Sequence, residues 1–383
     1  MGVPKKLAVI GFSGLSGATQ VGINYVKGIE IPQEDIVFIF HGKTAGVTPS
    51  YLDELNALKV ETCFVRKKSG LVDLESQIGI YRQLQHYKPE NVLVVSASPF
   101  IGISAYKLAN SKATIVVVEQ HPLNLISFKE YVHAYAALAF YDHVVPASRT
   151  YADGYIKSMK PLSSIFGKKI RVIPNGLDVP LSSTPATHQE IALNTVTLGM
   201  AARFDDVKDY DTVIRALHML NTTHTGTRYV FKMAGDGPNR ARTENLVREL
   251  GQESNAEFLG LINKPEMEAF YNSVDIYIQS SKGEAMSFSM MEAMGHGKVF
   301  LGTSVRGVEE FIVNGENGLH FRCGDPADLV QKISFIYENP AIAEKLSKGA
   351  RAYYDKFFSL SAMVREYSSL MSWTKLEGQS KSI

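Results

Sequence analysis

Two glutamates eight positions apart raise the first chemical question. In SKGEAMSFSMMEAMGHGKVFLGTS (281–304), Glu284 falls on a strand-to-helix loop and Glu292 in the second turn of the helix that Ser287 would open. At about 1.5 Å per residue, Glu292 lies roughly 7 Å further along that helix. Carboxylates at this offset can each accept a hydrogen bond from a different sugar hydroxyl of one extended ligand. With 39 acidic residues in the chain such a pair also arises by chance. What distinguishes it is its place after an apolar strand and before Ala-Met-Gly-His-Gly and another strand.

Upstream, GMAARFDDVKDYDTVIRAL (199–217) puts Arg203 and Lys208 between a strand and a helix. A guanidinium fork and an ammonium point charge at a strand's carboxyl end suit a diphosphate. Asp211 is the expected helix N-cap. Asp209-Tyr-Asp211 resembles a metal-binding Asp-x-Asp, but capping explains it more simply, so no metal site is expected. Downstream, SVRGVEEFIVNGENGLHF (304–321) carries Gly307 at a second strand-helix junction. A helix start exposing N–H groups near Gly307 and Val308 would receive an anion, with Arg306 adding charge. Asn314-Gly315 and Asn317-Gly318 read as turns.

The amino-terminal Gly11-Phe-Ser-Gly14-Leu-Ser-Gly17 joins a strand to a helix, but its glycine spacing is not that of the dinucleotide fingerprint. The next strand ends at His41-Gly42, without the acid that would hold a ribose, which weakens a nicotinamide-dependent reading. The turn around Gly14 still allows a ligand close to the backbone. His121 follows VVVEQ at a strand's carboxyl end.

These residues need a scaffold. LAVIGF (7–12), DIVFIFH (35–41), VETCFV (60–65), NVLVVSA (91–97), TIVVVEQ (114–120) and HVVPAS (143–148) read as buried parallel strands, with helical spacing between them, as over 73–87 and 127–140. The rhythm restarts at 195–200, 228–234, 257–260, 275–280 and 298–304. Between the halves, LDVPLSSTPATHQE (177–190) reads as a linker. The expectation is two doubly wound α/β domains in tandem, with ligands at strand carboxyl ends in the cleft between them.

Composition narrows the class. The chain has 383 residues, 45% hydrophobic and 21% charged, as in a soluble globular protein, and too many for one core. Lys and Arg number 40 against 39 acidic residues, which argues against a dedicated nucleic-acid binder. Residues 1–180 hold 19 basic and 14 acidic residues, leaving 21 and 25 for the remainder. That mildly basic first half would suit an anionic acceptor or membrane face. Cys63 and Cys323, far apart, suggest neither a disulfide framework nor a zinc site, which fits a reducing cytoplasm. The first residues, MGVPKKLAVIGFSGLSG, are too broken by glycine and serine for a signal peptide. No apolar stretch approaches the roughly 20 residues that span a bilayer.

Taken together, the motifs resemble the family-4 glycosyltransferases, retaining enzymes of the two-domain GT-B fold. Glu284 and Glu292 are similar to that family's Glu-x7-Glu pair, and Arg203 and Lys208 to its basic pair on the donor diphosphate. Ile173-Pro-Asn-Gly-Leu-Asp178, Ala234-Gly-Asp-Gly-Pro238, Phe258-Leu-Gly260 and Asn317-Gly318 fall in the family's order. FFSLSAMVREYSSLMSW (357–373) resembles the helix that crosses back to the first domain. Ala285 and Ser287 stand where the family often has glycine, and Arg306 replaces the first of two glycines.

The resemblance implies an acceptor-binding domain over 1–180, a nucleotide-sugar-binding domain over 190–356 and a returning helix over 357–383. It implies a metal-independent hexosyltransferase without a cofactor, moving a sugar with retention from a UDP- or GDP-type donor to a hydroxyl acceptor. That acceptor would be a glycan, a lipid-linked sugar or another hydroxyl compound, in bacterial-type glycan, glycolipid or polysaccharide synthesis. The protein would act in the cytoplasm or at the cytoplasmic membrane face. In this reading Arg203, Lys208, Glu284 and His121 serve the chemistry. Glu292 holds the ribose, while Ser287, Phe288, Gly307, Val308 and Gly14 approach the donor. A nucleotide-sugar epimerase and a catalytically silent nucleotide-binding homologue are the rival readings.

Overall fold

The computed structural model describes residues 4–373 except 15, 44–45, 69–72, 96–98, 120–127, 161–163, 166, 181–194, 224–225 and 285. The described chain divides into two compact units. One comprises the residues up to Gly176 and those from Leu360 onward; the other is Leu177–Ser359.

In the first unit, strands β1 (Leu7–Phe12), β2 (Ile36–Gly42), β3 (Glu61–Arg66), β4 (Asn91–Val94), β5 (Thr114–Glu119) and β6 (His143–Pro146) alternate with helices. These are α1 (Gly17–Gly28), α2 (Pro49–Ala57), α3 (Leu74–Tyr87), α4 (Phe100–Ala109), α5 (Phe128–Phe140) and α6 (Arg149–Ser158). All pairings are parallel, in the order β3-β2-β1-β4-β5-β6. Every residue of β2 and β4 is buried, as apolar runs covered on both faces must be.

The second unit repeats this plan. Strands β7 (Thr195–Ala201), β8 (Arg228–Ala234), β9 (Ala256–Gly260), β10 (Ile276–Gln279), β11 (Val299–Thr303) and β12 (Leu319–Phe321) form a parallel sheet ordered β12-β11-β10-β7-β8-β9. Its helices are α7 (Tyr210–Thr223), α8 (Arg240–Glu249), α9 (Lys264–Asn272), α10 (Phe288–Gly295), α11 (Pro326–Glu338) and α12 (Pro340–Tyr353). Counted from its own first strand, each sheet reads 3-2-1-4-5-6. The order therefore reverses between β1 and β4 in one unit and between β7 and β10 in the other. Ligands of open α/β sheets bind outside the carboxyl ends of the strands at such a switch point.

The expected strands are present, with ends shifted by up to two residues except in β4, which stops at Val94, three residues before its expected end. Strand β12 was not anticipated, because its three residues are too few for a periodic signal. Residues 177–180, expected in the linker, pack into the second unit: Leu177 N–H donates to Phe358 O at 2.9 Å and Val179 N–H to Tyr354 Oη at 2.9 Å. The rest of that expected linker lies outside the described residues.

The last helix, α13 (Leu360–Leu370), lies on α1 in the first unit. Tyr25 and Tyr367 meet edge to face at 5.7 Å, and Tyr25 Oη lies 3.2 Å from Ser368 Oγ. Beyond it, Ser372 exchanges two 2.9 Å hydrogen bonds with Asn91 at the start of β4.

Candidate functional site

The switch point of the second unit brings together most of the residues singled out above. The loop after β7 carries Arg203 and Lys208, and the loop after β10 carries Glu284. The two loops pair with each other: Asp209 N–H donates to Ser280 O at 3.1 Å, and Lys282 N–H to Val207 O at 2.8 Å. This lacing sets Lys208 beside Glu284, and their side chains form an ion pair. With 14% and 15% exposure, the pair sits at the mouth of the sheet rather than on the open surface. Arg203 lies on the same loop with its side chain exposed.

The loop after β7 is held from its other side by the Gly235-Asp-Gly237 turn. Ala202 N–H donates to Ala234 O at 3.0 Å, Phe204 N–H to Asp236 O at 3.1 Å, and Asn239 N–H to Phe204 O at 3.0 Å. Gly235 has φ +135°, and a Cβ there would fall 2.1 Å from Ala202 O. Only glycine allows so close an approach.

Glu284 has a second polar partner that the sequence reading missed. Gln279, the last residue of β10, is fully buried. Its Nε2 donates to Glu284 Oε2 at 3.1 Å, and its Oε1 accepts from Ser287 Oγ at 3.2 Å. Ser287 is the N-cap of α10, as expected, accepting from Met290 N–H at 3.3 Å. Phe288, the first residue of that helix, is half-buried. A glutamine inside the apolar run DIYIQS was the available signal, since a buried amide must find partners.

Glu292 projects from the second turn of α10, and Tyr271 of α9 donates to its Oε2 at 2.7 Å. Tyr271 is almost wholly buried, stacked on His296 at 5.0 Å and against Tyr277 at 5.9 Å. Burial pushes the Glu292 carboxyl above its ordinary range, while the Tyr271 hydrogen bond and the nearby Lys264 charge pull it back. Burial likewise holds the Tyr271 phenol well above its usual range, so it remains a donor. Burial, with the Lys298 and Arg351 charges, depresses the His296 imidazole to about 4, and the ring beneath Tyr271 stays neutral. Tyr271 was not anticipated, and an isolated tyrosine on a helix gives no signal of its own.

Two expectations require correction. The N-cap of α7 is Asp209, not Asp211: Thr212 N–H and Oγ1 donate to the Asp209 carboxylate at 3.3 and 2.6 Å. Asp211 sits inside the first turn and pairs with Arg242 at 2.6 Å. The helix start expected at Gly307 and Val308 is instead a turn leading into a three-residue 3-10 helix, Glu309–Phe311. Val308 N–H is spent on Val305 O at 3.1 Å, and its side chain is buried. Gly307 takes φ +84° in this turn, and Arg306 is exposed beside it. Glu284 N–H donates to Arg306 O at 3.2 Å, so this turn does border the Glu284 loop.

In the first unit, Gly14 lies between β1 and α1 at the corresponding switch point. The turn is pinned from the β2 side: Ser13 N–H donates to His41 O at 3.1 Å, and Thr48 N–H to Ser13 O at 2.9 Å. Ser16 N–H donates to Tyr51 Oη at 2.8 Å. His121 and Ala285 lie outside the described residues. Among the described residues, no group of three or more His, Cys, Asp and Glu is placed to hold a metal ion.

Residues 186–353 match the profile of the family Glycosyl transferases group 1. The lipopolysaccharide core biosynthesis glycosyltransferase LpsD of Rhizobium meliloti is 27% identical over 175 residues, covering 46% of this chain and 48% of LpsD. The D-rhamnosyltransferase WbpZ of Pseudomonas aeruginosa is 27% identical over 221 residues, covering 57% of this chain and 56% of WbpZ. The chain thus spans about half the length of the curated relatives it matches. Among solved structures, Anabaena HepE in complex with UDP superposes with a TM-score of 0.77 at 17% identity, covering 95% of this chain and 98% of HepE. The fold is the two-domain α/β architecture of GT-B proteins, as the sequence led us to expect.

Proposed function

We propose that this chain is a retaining, family-4-type hexosyltransferase. It transfers a sugar from a UDP- or GDP-linked donor to a hydroxyl acceptor in the synthesis of a glycan, glycolipid or polysaccharide. The carrying observation is the pairing of Lys208 with Glu284 at the switch point, with Glu292 on the helix that follows, in the unit whose sequence matches the glycosyltransferase profile. The glycan-building names of LpsD and WbpZ and the UDP held by HepE support the same reading.

The chemistry follows from charge. Breaking the bond between the sugar and the nucleotide leaves negative charge growing on the diphosphate. Arg203 and Lys208 are preorganised cations for that charge, supplied without a metal or cofactor. The Lys208 ammonium has three donors and can contact phosphate while keeping Glu284. Glu284, oriented by Lys208 and Gln279, accepts from the donor sugar's hydroxyls, and Glu292 accepts from the ribose. Ser287, Phe288 and the Gly307 turn lie on the approach to the donor, whereas Val308, buried with its N–H spent, has no part in it. In the first unit, Gly14 and His121 serve the phosphates and the acceptor, and the departing phosphate takes the acceptor's proton.

The described residues contain no helix long and apolar enough to cross a membrane. The basic excess of residues 1–180 favours an acceptor at an anionic cytoplasmic membrane face.

Thermal melting with UDP, GDP and ADP, each first in EDTA and then with magnesium, tests the proposal. A nucleotide at 100 times its dissociation constant adds about 2.7 kcal/mol, several degrees for a unit of this size. A shift with one nucleotide, equal in EDTA, is the expected result. No shift with any, or a shift only with magnesium, would overturn it.

A further inference from the structure

We infer that Gln279 is a positioning residue: its side-chain amide fixes the Glu284 carboxylate and ties it to the helix that carries Glu292. This rests on the proposed role of Glu284 at the donor sugar and adds what holds that carboxylate in place. Gln279 ends β10, where the backbone is fixed by parallel pairing to β11 and β7. Its Nε2 donates to Glu284 Oε2 at 3.1 Å and lies 3.4 Å from Ser281 Oγ. Its Oε1 accepts from Ser287 Oγ at 3.2 Å, and Ser287 caps α10. The backbone on either side is also pinned: Thr303 Oγ1 of β11 lies 3.3 Å from Gln279 O and 2.8 Å from Ser281 O. A planar amide with both ends engaged and no exposure cannot rotate without breaking one bond. Glu284 is thereby held from two sides, by an ammonium that can turn toward phosphate and by an amide that cannot.

Among the described residues, the titratable groups near this amide are Glu284 on its own loop, Tyr277 on its own strand, Lys208 and Asp209 on the loop after β7, Glu292 on α10, and Cys323 after β12, whose Sγ lies 3.6 Å from Ser281 O. Among these, Glu284 alone bonds to Gln279, and that contact makes a selective test available. Gln279→Glu keeps the shape and the acceptor for Ser287 but replaces the N–H donor with a second carboxylate facing Glu284. Two carboxylates at this distance share one proton, so the pair holds it more tightly than the unfolded chain does. The stability of the variant is then intact below the ordinary carboxylate range and lost as pH rises through the raised value. In Gln279→Glu combined with Glu284→Gln, the new amide donates to the new carboxylate and this loss disappears.

The experiment is thermal melting of the full chain as wild type, each single variant and the double variant. From about pH 5 to about pH 8, Gln279→Glu should lose at least about 3 °C relative to wild type, as expected for a proton held about a hundredfold more tightly than in the unfolded chain. The double variant should track wild type. An equal pH dependence in both backgrounds, or none in either, would overturn the inference.

Gln279→Met, of similar length but without donor or acceptor, supplies a second readout, with UDP and UDP-glucose as probes. It should leave the UDP shift in place and weaken the added effect of the glucose roughly tenfold or more. If wild type shows no added effect of glucose while the pH signature holds, the donor-sugar reading fails and the positioning role stands.

Discussion

Removing one hydroxyl, in Tyr271→Phe, isolates the contact that makes Glu292 usable. The ring keeps its stack on His296 and its packing against Tyr277, so the change removes the 2.7 Å bond from Tyr271 Oη to Glu292 Oε2 and a longer 3.2 Å contact with the backbone Ser289 O of the same helix. A hydrogen bond to a charged group is worth about 1.5–3 kcal/mol, and one to its neutral form about half as much. The ionised, oriented carboxylate therefore loses most. If Glu292 holds the ribose, nucleotide affinity should fall about tenfold, and at most a little over a hundredfold, at 1.36 kcal/mol per decade.

The pH dependence carries a second signature. Burial raises Glu292 above its ordinary range and the Tyr271 bond opposes that rise, so the variant is displaced further upward. For stability, the contribution of Glu292 is present below the ordinary carboxylate range and lost as pH rises through its raised value. For binding the sign reverses, because ribose hydroxyls need the ionised acceptor. Affinity should decline as pH falls through the Glu292 pKa, and in Tyr271→Phe that decline should begin at higher pH. His296 titrates at about 4 and does not contribute above that range. Calorimetric titration with UDP and GDP across pH reads both effects. Unchanged affinity together with an unchanged pH profile would refute the reasoning.

Three further outcomes are expected. Lys208→Ala should slow sugar transfer about tenfold to a hundredfold through loss of a charge-assisted contact worth about 1.5–3 kcal/mol; a near-normal rate would remove Lys208 from the mechanism. Asp209→Ala should cost about 0.5–2 kcal/mol in denaturant unfolding as a lost N-cap, whereas Asp211→Ala, on a partly exposed pair, should cost under about 1 kcal/mol; the reverse order would contradict the capping assignment. Gly235→Ala should lower the Tm by several degrees, since it forces a Cβ against Ala202 O at positive φ at a cost of about 1–3 kcal/mol; an unchanged Tm would show that the turn can shift.

The fold was legible because buried parallel strands write themselves as unbroken apolar runs, and β2 and β4 are such runs. β12 was not, being three residues long. In the site, Glu284, Lys208 and Ser287 were readable from spacing, since they follow the carboxyl ends of β7 and β10, which are neighbours in the sheet and whose loops pair here. Gln279 and Tyr271 were not, because their importance lies in partners supplied by other elements. The choice between Asp209 and Asp211 turned on a helix boundary two residues away, which local sequence rarely resolves. Val308 misled because Gly-Val-Glu-Glu after a strand looks like a helix start, whereas the chain makes a turn, a three-residue 3-10 helix and a second turn before β12.

The most direct test of the account is proton NMR of the full chain incubated in EDTA with α-linked UDP-glucose or GDP-mannose and a panel of hydroxyl acceptors, including lipid-linked sugars. The account predicts a new α-linked product formed in step with free nucleoside diphosphate, and lost in Lys208→Ala. A β-linked product, an epimerised donor formed without acceptor, or no consumption of either donor with any acceptor would contradict it.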